Sequence, residues 1–333
     1  MKLEWEVAEL RLRDPFKIAS TDADLTRQTV LVRAGGGVGE AAPRSYYGES
    51  IKGVVNDLER CRAELESLPD DAPIESVMRR FKGGRPARCA LETALWDGLG
   101  RSLGAPLWKL WGADPSEMPP TSFTIGLDDR ARMLEKAEAA AEYAVLKVKL
   151  GGKNDLDVIR ALRGASKKPM RVDANGGWTR EEAVELCAAL ADLGVELVEQ
   201  PVRADDIDGL RYVRERSPLP IFADESCRSA KEIPTLAGAV DGVNLKLSKC
   251  GGPTEVLTAA RLARSYGMRV MTGCMIESSA GVAAMAHIAP LADHADLDGH
   301  LLIDNDPFEP MLMKNGRLIL TNRPGNGLRR RQI

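Results

Sequence analysis

Three carboxylates, Asp173, Glu199 and Asp224, recur at nearly even spacing along the chain, with Lys149 about one such step before the first and Lys246 about one step after the last. Acid oxygens brought together make a seat for a hard divalent cation, and Mg2+ commonly takes a few carboxylates plus water or substrate oxygens. A lysine near a cation and a second ammonium releases its proton more readily, which moves it toward the range where general bases operate. Lys147 and Lys149 are two apart, so on a strand they share a face. These residues point to a bound hard divalent cation such as Mg2+, with Lys149 and Lys246 as candidate general bases beside it. Any one of the acids alone would be explained as a helix N-cap. Capping does not explain three at matching places in consecutive units. The lysines lie in the apolar runs VLKVKL and VNLKL, not on the polar face of a helix, so each must be paired or used.

Asp296 and Asp298 form an Asp-x-Asp pair with no lysine partner evident in the sequence, an arrangement suited to a cationic group such as an ammonium. Glu277, in CMIESS, either adds to that field or caps a helix. The chain has 3 histidines. His287, in AAMAHIAP, is read as a packed helix residue, and none ends a predicted strand, which argues against zinc and against a Ser/His/Asp relay. Gly251-Gly252 is a weak candidate for a phosphate-binding turn. The 6 cysteines include no CxxC pair and read as reduced thiols of a cytoplasmic protein, with Cys227 and Cys274 as small buried filler.

The elements that must position these groups follow from the spacing. Seven apolar segments end at Lys149, Asp173, Glu199, Asp224, Lys246, Thr272 and Asp296, each about one strand and one return helix from the next. That is the rhythm of an α/β protein with a (β/α)8-type barrel, a modified TIM barrel, whose strand ends converge on one mouth. Strands are predicted at 121–125, 143–149, 170–173, 195–199, 221–224, 242–247, 269–272 and 295–298. Strands 2 and 6 then stand opposite each other across the mouth. Thr179-Arg-Glu-Glu182 is a capping box that fixes one helix start. Residues before about 115 break the rhythm. They predict strands over 3–13 and 28–34 joined by a polar loop, 19–27, then a Gly35-Gly36-Gly37 turn and helices over 51–67, 73–81 and 86–103. The domains are therefore an α+β capping domain (1–117), the barrel (118–309) and a C-terminal segment (310–333) that returns to complete the cap.

The composition is 44% apolar and 29% charged, with a net charge of −3, ordinary for a soluble globular chain and without the basic stripe of a nucleic-acid binder. No apolar run approaches the roughly 20 residues of a membrane span, and acids among the first residues argue against a signal peptide. Arg329–Arg331 read as a solvated end. The expected partners are a small-molecule substrate, no nucleic acid and no membrane, with a homo-oligomer possible.

The segments LKVKL (146–150), VDANGGW (172–178), VEQP (198–201), ADES (223–226) and NLKLSKCGG (244–252) resemble the muconate lactonising enzyme subgroup of the enolase superfamily in order and spacing. Within it, TSFTIG (121–126), GCMIESS (273–279) and ADLDGHLL (295–302) are similar to dipeptide epimerases of the L-Ala-D/L-Glu type. The resemblance implies Mg2+ on Asp173, Glu199 and Asp224. It also implies a 1,1-proton transfer through an enediolate between Lys149 and Lys246 at the C-terminal residue of a dipeptide. By the same carry-over, Lys147 and Thr124 contact the substrate, Asp296 and Asp298 take its ammonium, and Asn175, Glu225 and Glu277 support the site. Peptidoglycan peptide recycling is the setting it implies. Side-chain choice is implied for the loop IASTDADLTR (18–27), with Lys17 or Arg27 as candidates for a Glu carboxylate. On the same scaffold, o-succinylbenzoate synthase, N-succinylamino acid racemase and muconate cycloisomerase are the alternatives. They bind no free ammonium, so the Asp296/Asp298 pair counts against them.

Overall fold

The computed structural model describes residues 1–17, 24–152 and 154–331. The chain starts with an antiparallel meander, β1 (Leu3–Phe16), β2 (Asp24–Ala34) and β3 (Gly37–Ala41), in that order across the sheet. Its strands outrun the sequence reading. Arg11 pairs with Thr26 and, past an irregularity, Phe16 pairs with Asp24, so part of the expected polar loop is strand; residues 18–23 lie outside the described residues. Backbone pairing with a partner strand satisfies these polar residues without burying their side chains, which is why polarity misplaced the boundary. Helices α1 (Ile51–Glu66), α2 (Ile74–Arg80) and α3 (Arg85–Ser102) cover one face of the sheet, burying Leu3, Val30, Val32, Leu58, Leu65 and Leu91. α3 lies so close to β3 that a Cβ at Gly39 would stand 2.1 Å from the Ala90 carbonyl.

After α4 (Leu107–Leu110) the βα rhythm begins. The strands are β4 (Ser122–Ile125), β5 (Val145–Lys149), β6 (Met170–Asp173), β7 (Val195–Glu199), β8 (Ile221–Ala223), β9 (Gly242–Lys246), β10 (Arg269–Gly273) and β11 (His294–Asp296). They form one parallel sheet in chain order, with a single bridge, Thr121 to Ala295, between its two ends. Between them run α5 (Arg130–Ala139), α6 (Asp155–Ala165), α7 (Arg180–Asp192), α8 (Ile207–Arg214), α9 (Ile233–Leu236), α10 (Leu247–Cys250), α11 (Pro253–Ser265) and α12 (Ser279–Ala286). The capping box at Thr179 and Glu182 forms as expected. The most visible departure is at strand 8, which stops at Asp296 and leaves Asp298 in the turn beyond it.

Alternation along the strands sorts their side chains into barrel-facing and helix-facing sets. The helix-facing set, including Leu146, Val148, Val172, Val198, Val243 and Leu245, joins the large apolar core. Facing inward, Leu197, Phe222 and Met271 form a small apolar plug. Two positions further along their strands come Glu199, Asp224 and Gly273. Register puts Lys149, Asp173 and Glu199 side by side, and Lys246, Gly273 and Asp296 likewise.

The C-terminal segment makes the short hairpin β12 (Met313–Lys314) and β13 (Arg317–Leu318), then reaches the cap. Asn326 N donates to Asp97 on α3 at 2.8 Å, and Arg330 donates to Glu6 on β1 at 2.9 Å. Arg331 also donates to the Phe308 carbonyl, while Arg329, Arg330 and Arg331 remain exposed to solvent, as expected of them. His287 closes α12 and is buried. Its Nδ1 accepts from Trp108 N at 3.0 Å, so its proton sits on Nε2, 3.2 Å from the Asn326 carbonyl.

Burial holds the His287 pKa down at about 4, against 6.5 unperturbed. The folded state keeps the ring neutral where the unfolded chain would protonate it, so its contribution is complete above pH 6.5 and is lost as pH falls toward 4. The expected loss is about 3 kcal/mol. Urea unfolding of wild type and His287→Gln across pH 7.5 to 4 checks this: the stability gap between them should shrink as the solution becomes more acidic.

Candidate active site

The carboxyl ends of the barrel strands open into a cavity of about 530 Å3, lined from below by Lys147, Lys149, Asp224, Lys246, Asp296 and Asp298. The cap supplies the opposite wall, including Phe16, Arg27, Arg44 and Tyr46. Beneath the cavity one oxygen each of Asp173, Glu199 and Asp224 come within 4.8 Å of one another, and all three residues are buried. Lys149 and Lys246 sit on β5 and β9, with three strands between them in either direction round the barrel, and therefore on opposite sides of the mouth.

Every lysine here is held by acids. Lys149 Nζ donates to Asp173 at 2.6 Å, and Lys246 Nζ donates to Asp224 at 2.7 Å. Lys147 reaches Glu199 and Asp296 at 2.7 Å and Asp173 at 3.0 Å. This corrects one expectation: Asp296 does have a lysine partner, which reaches it from β5, two strands away. Burial lowers the pKa of Lys246 and Lys147, but Asp224 at the first and Asp173, Asp296 and Glu199 at the second more than offset it and hold them well above the usual value. The acids divide. Burial raises Glu199 to about 8, reinforced by the Asp173 charge. At Asp173 burial is outweighed by Lys147 and Lys149, which hold it well below the usual range.

The residues fit a hard cation. Six carboxyl groups (Asp173, Glu199, Asp224, Glu225, Asp296, Asp298) meet four ammonium groups (Lys147, Lys149, Lys246, Lys249), so acids outnumber ammonium groups around the cluster. The donors are all oxygen. Asn175 Nδ2 donates to Glu225 at 3.0 Å, while Asn175 Oδ1 and Glu225 Oε2 have no partner among the described residues, acceptors that the water of a hydrated ion would satisfy.

The pair after strand 8 is anchored to β4. Asp298 accepts from the Thr124 backbone N–H at 2.6 Å, so the contact of Thr124 with the pair is through its backbone. Burial and Asp296 raise Asp298 to about 6. Glu277 is not among the residues lining the cavity. It lies buried behind its wall beside Glu40 of the cap, which accepts from Thr29, Ser278 and Gly281; burial, then the Glu40 charge, raise Glu277 to about 8. Cys274, read as filler, lines the cavity. The phosphate reading of Gly251-Gly252 fails, because Glu92 Oε2 stands 2.2 Å from where a Gly252 Cβ would be and Glu92 accepts from Thr254 N at 3.1 Å. An acid already occupies the place an anion would need.

Several residues that organise the site carry no signal strong enough to single them out in one sequence. Gln200, at φ 38°, accepts from Asp224 N and Ser226 N and so shapes the turn that presents Asp224. Asn244 donates to Glu199 at 2.8 Å. Lys249 was visible as a charge inside NLKLSKCGG. It has no exposed surface, and its Nζ donates to Asp224 Oδ1, the Asp224 carbonyl and the Asn244 carbonyl at 2.6–2.7 Å.

Residues 130–332 match the family described as enolase C-terminal domain-like, and residues 4–112 match the mandelate racemase / muconate lactonizing enzyme N-terminal domain. The chain belongs to this family of the enolase superfamily. Among individual proteins, it is 38% identical to an L-Ala-D/L-Glu epimerase of Bacteroides thetaiotaomicron, over 98% of this chain and 88% of that one. The dipeptide epimerase of Enterococcus faecalis, solved with Mg and L-Leu-L-Tyr, is 30% identical with a TM-score of 0.90 over 98% of both chains. The muconate lactonizing enzyme of Pseudomonas fluorescens, solved with muconolactone, is 28% identical with a TM-score of 0.93, covering 99% of this chain and 95% of that one. The fold is thus common to both activities, and the choice between them lies in the site.

Replacing Lys249 by Met would leave Asp224 Oδ1 and two carbonyls buried without their donor. The expected loss of stability is roughly 3–5 kcal/mol, read by urea unfolding at neutral pH.

Proposed function

We propose that the chain is a dipeptide epimerase of the L-Ala-D/L-Glu type, which inverts the alpha carbon of the C-terminal residue by moving a proton between two lysines. One observation carries the reading: Lys149 and Lys246 face each other across a buried oxygen cluster, with a second acid pair, Asp296 and Asp298, at the rim of the same cavity. A lone base would exchange a proton on one face; two opposed lysines make inversion the natural outcome.

Asp173, Glu199 and Asp224 would hold the Mg2+. When bound, it neutralises the charge that builds on the substrate carboxylate as the alpha proton leaves, an electrostatic term usually larger than any other in such a reaction. Lys149 takes the proton from one face and Lys246 returns one to the other, with roles reversed for the opposite epimer. Lys147, between the acids and the cavity, is placed to donate to the substrate carboxylate. Asp296 and Asp298 receive the dipeptide ammonium, a group that an acylated or lactonising substrate lacks. Asn175 and Glu225 support the ligands beside them. The cap wall excludes water from the reacting carbon.

Among the described residues no helix is long and apolar enough to cross a membrane. A cytoplasmic enzyme of peptidoglycan peptide recycling, acting on a small dipeptide and free to form a homo-oligomer, completes the proposal; the free cysteines and the epimerase relative support it.

Incubation of L-Ala-L-Glu in D2O tests the reading by NMR: deuterium should enter only the alpha position of the Glu residue, with both epimers accumulating. No exchange with any dipeptide, together with turnover of an acyl substrate, would reverse it. Chelation by EDTA should abolish exchange and added Mg2+ should restore it. Lys149→Ala and Lys246→Ala should each slow interconversion by about 10²–10⁴-fold, while each variant still exchanges the alpha proton of the one epimer that faces its remaining lysine.

A further inference from the structure

The seam between β11 and β4 differs from every other in the barrel. β9 and β10 pair through five residues each, whereas one backbone bridge, Thr121 to Ala295, joins β4 to β11. Side chains do the rest, and they converge on Asp296-Leu297-Asp298. Thr121 Oγ1 accepts from Leu297 N at 2.7 Å. Thr124 N donates to Asp298 Oδ2 at 2.6 Å. Between them, Ser122 Oγ donates to Asp296 Oδ1 at 2.6 Å, and Ser122 has no exposed surface. The other oxygen of Asp296 accepts from Lys147 at 2.7 Å.

We propose that Ser122 is a positioning residue for recognition of the substrate ammonium. The inference rests on the epimerase reading above, in which Asp296 and Asp298 bind that group. Asp296 is pulled from two sides: Lys147 draws one oxygen toward the acid cluster, and Ser122 holds the other at the seam. A carboxylate oxygen has lone pairs for more than one donor, so Asp296 held this way keeps capacity for an incoming N–H. Without the Ser122 hydroxyl, Lys147 is the sole tether, and Asp296 follows it toward the cluster and away from Asp298. The ammonium then meets one oriented acid where it had two. Lys149 and Lys246 are untouched, so the effect falls on substrate binding and spares the proton-transfer step.

Steady-state kinetics on the Mg2+-loaded enzyme test this with two substrates, L-Ala-L-Glu and N-propionyl-L-glutamate, in which a hydrogen replaces the ammonium. Ser122→Ala should raise KM for L-Ala-L-Glu roughly 5–10-fold with kcat within about twofold, and should leave kcat/KM for the propionyl compound unchanged. Ser122→Cys, which fills the space but donates weakly, should behave like Ser122→Ala, separating the lost hydrogen bond from a packing defect. The proposal is overturned if KM for the dipeptide stays the same, if kcat falls at constant KM, or if the propionyl compound suffers the same penalty. A wild-type enzyme that turns over both substrates equally well would instead remove the ammonium reading itself.

Discussion

Mutual repulsion among buried carboxylates is the constraint on which the rest of this structure depends. Asp173, Glu199 and Asp224 are fixed by strands whose register leaves them little freedom to separate, and they lie where water cannot screen them. The protein answers with four lysines, each bonded to at least one of these acids or to Asp296. The acids still outnumber the lysines, and burial, reinforced by the Asp173 charge, raises the Glu199 pKa. A site that is electrostatically unfinished in this way has intrinsic affinity for a divalent ion, and an ion bound there would loosen the hold of the acids on Lys149 and Lys246. The same pairing places Lys149 and Lys246 beside the acid cluster.

The cap is tied to the barrel by the same kind of interaction. Glu40 on β3 reaches the start of α12, and Glu92 on α3 reaches the start of α11, so two buried acids from the cap meet amino ends of barrel helices, where backbone N–H groups and the helix dipole favour negative charge. Burial raises the pKa of both. These contacts fix the body of the cap, while the β1–β2 hairpin extends from it to the cavity, where Phe16, Asp24 and Arg27 form part of the wall. The two walls of the cavity are consequently carried by different parts of the chain, the barrel strand ends on one side and the cap on the other.

Much of this was legible beforehand. The even interval between polar strand ends pointed to the barrel, and β6 and β7 fall where the apolar runs placed them. Parallel strands buried on both faces must be short apolar segments, and polar residues inside them are conspicuous for that reason. The hairpin was harder to read because exposed strands tolerate polar residues. Gln200 and Ser122 carry no such mark, because nothing in residue type separates a buried glutamine or serine from an exposed one.

The sequence alone determined which residues reach the mouth: alternation sets the face and periodicity sets the end of the strand, and both are local properties of the chain. Which oxygen meets which ammonium was decided only by the tertiary structure. Lys147 and Asp296 lie 149 positions apart, and nothing in the order of residues announces their ion pair. Barrel closure puts β4 next to β11 and brings β5, one strand further on, within reach of it, and that closure depends on every strand and helix between them.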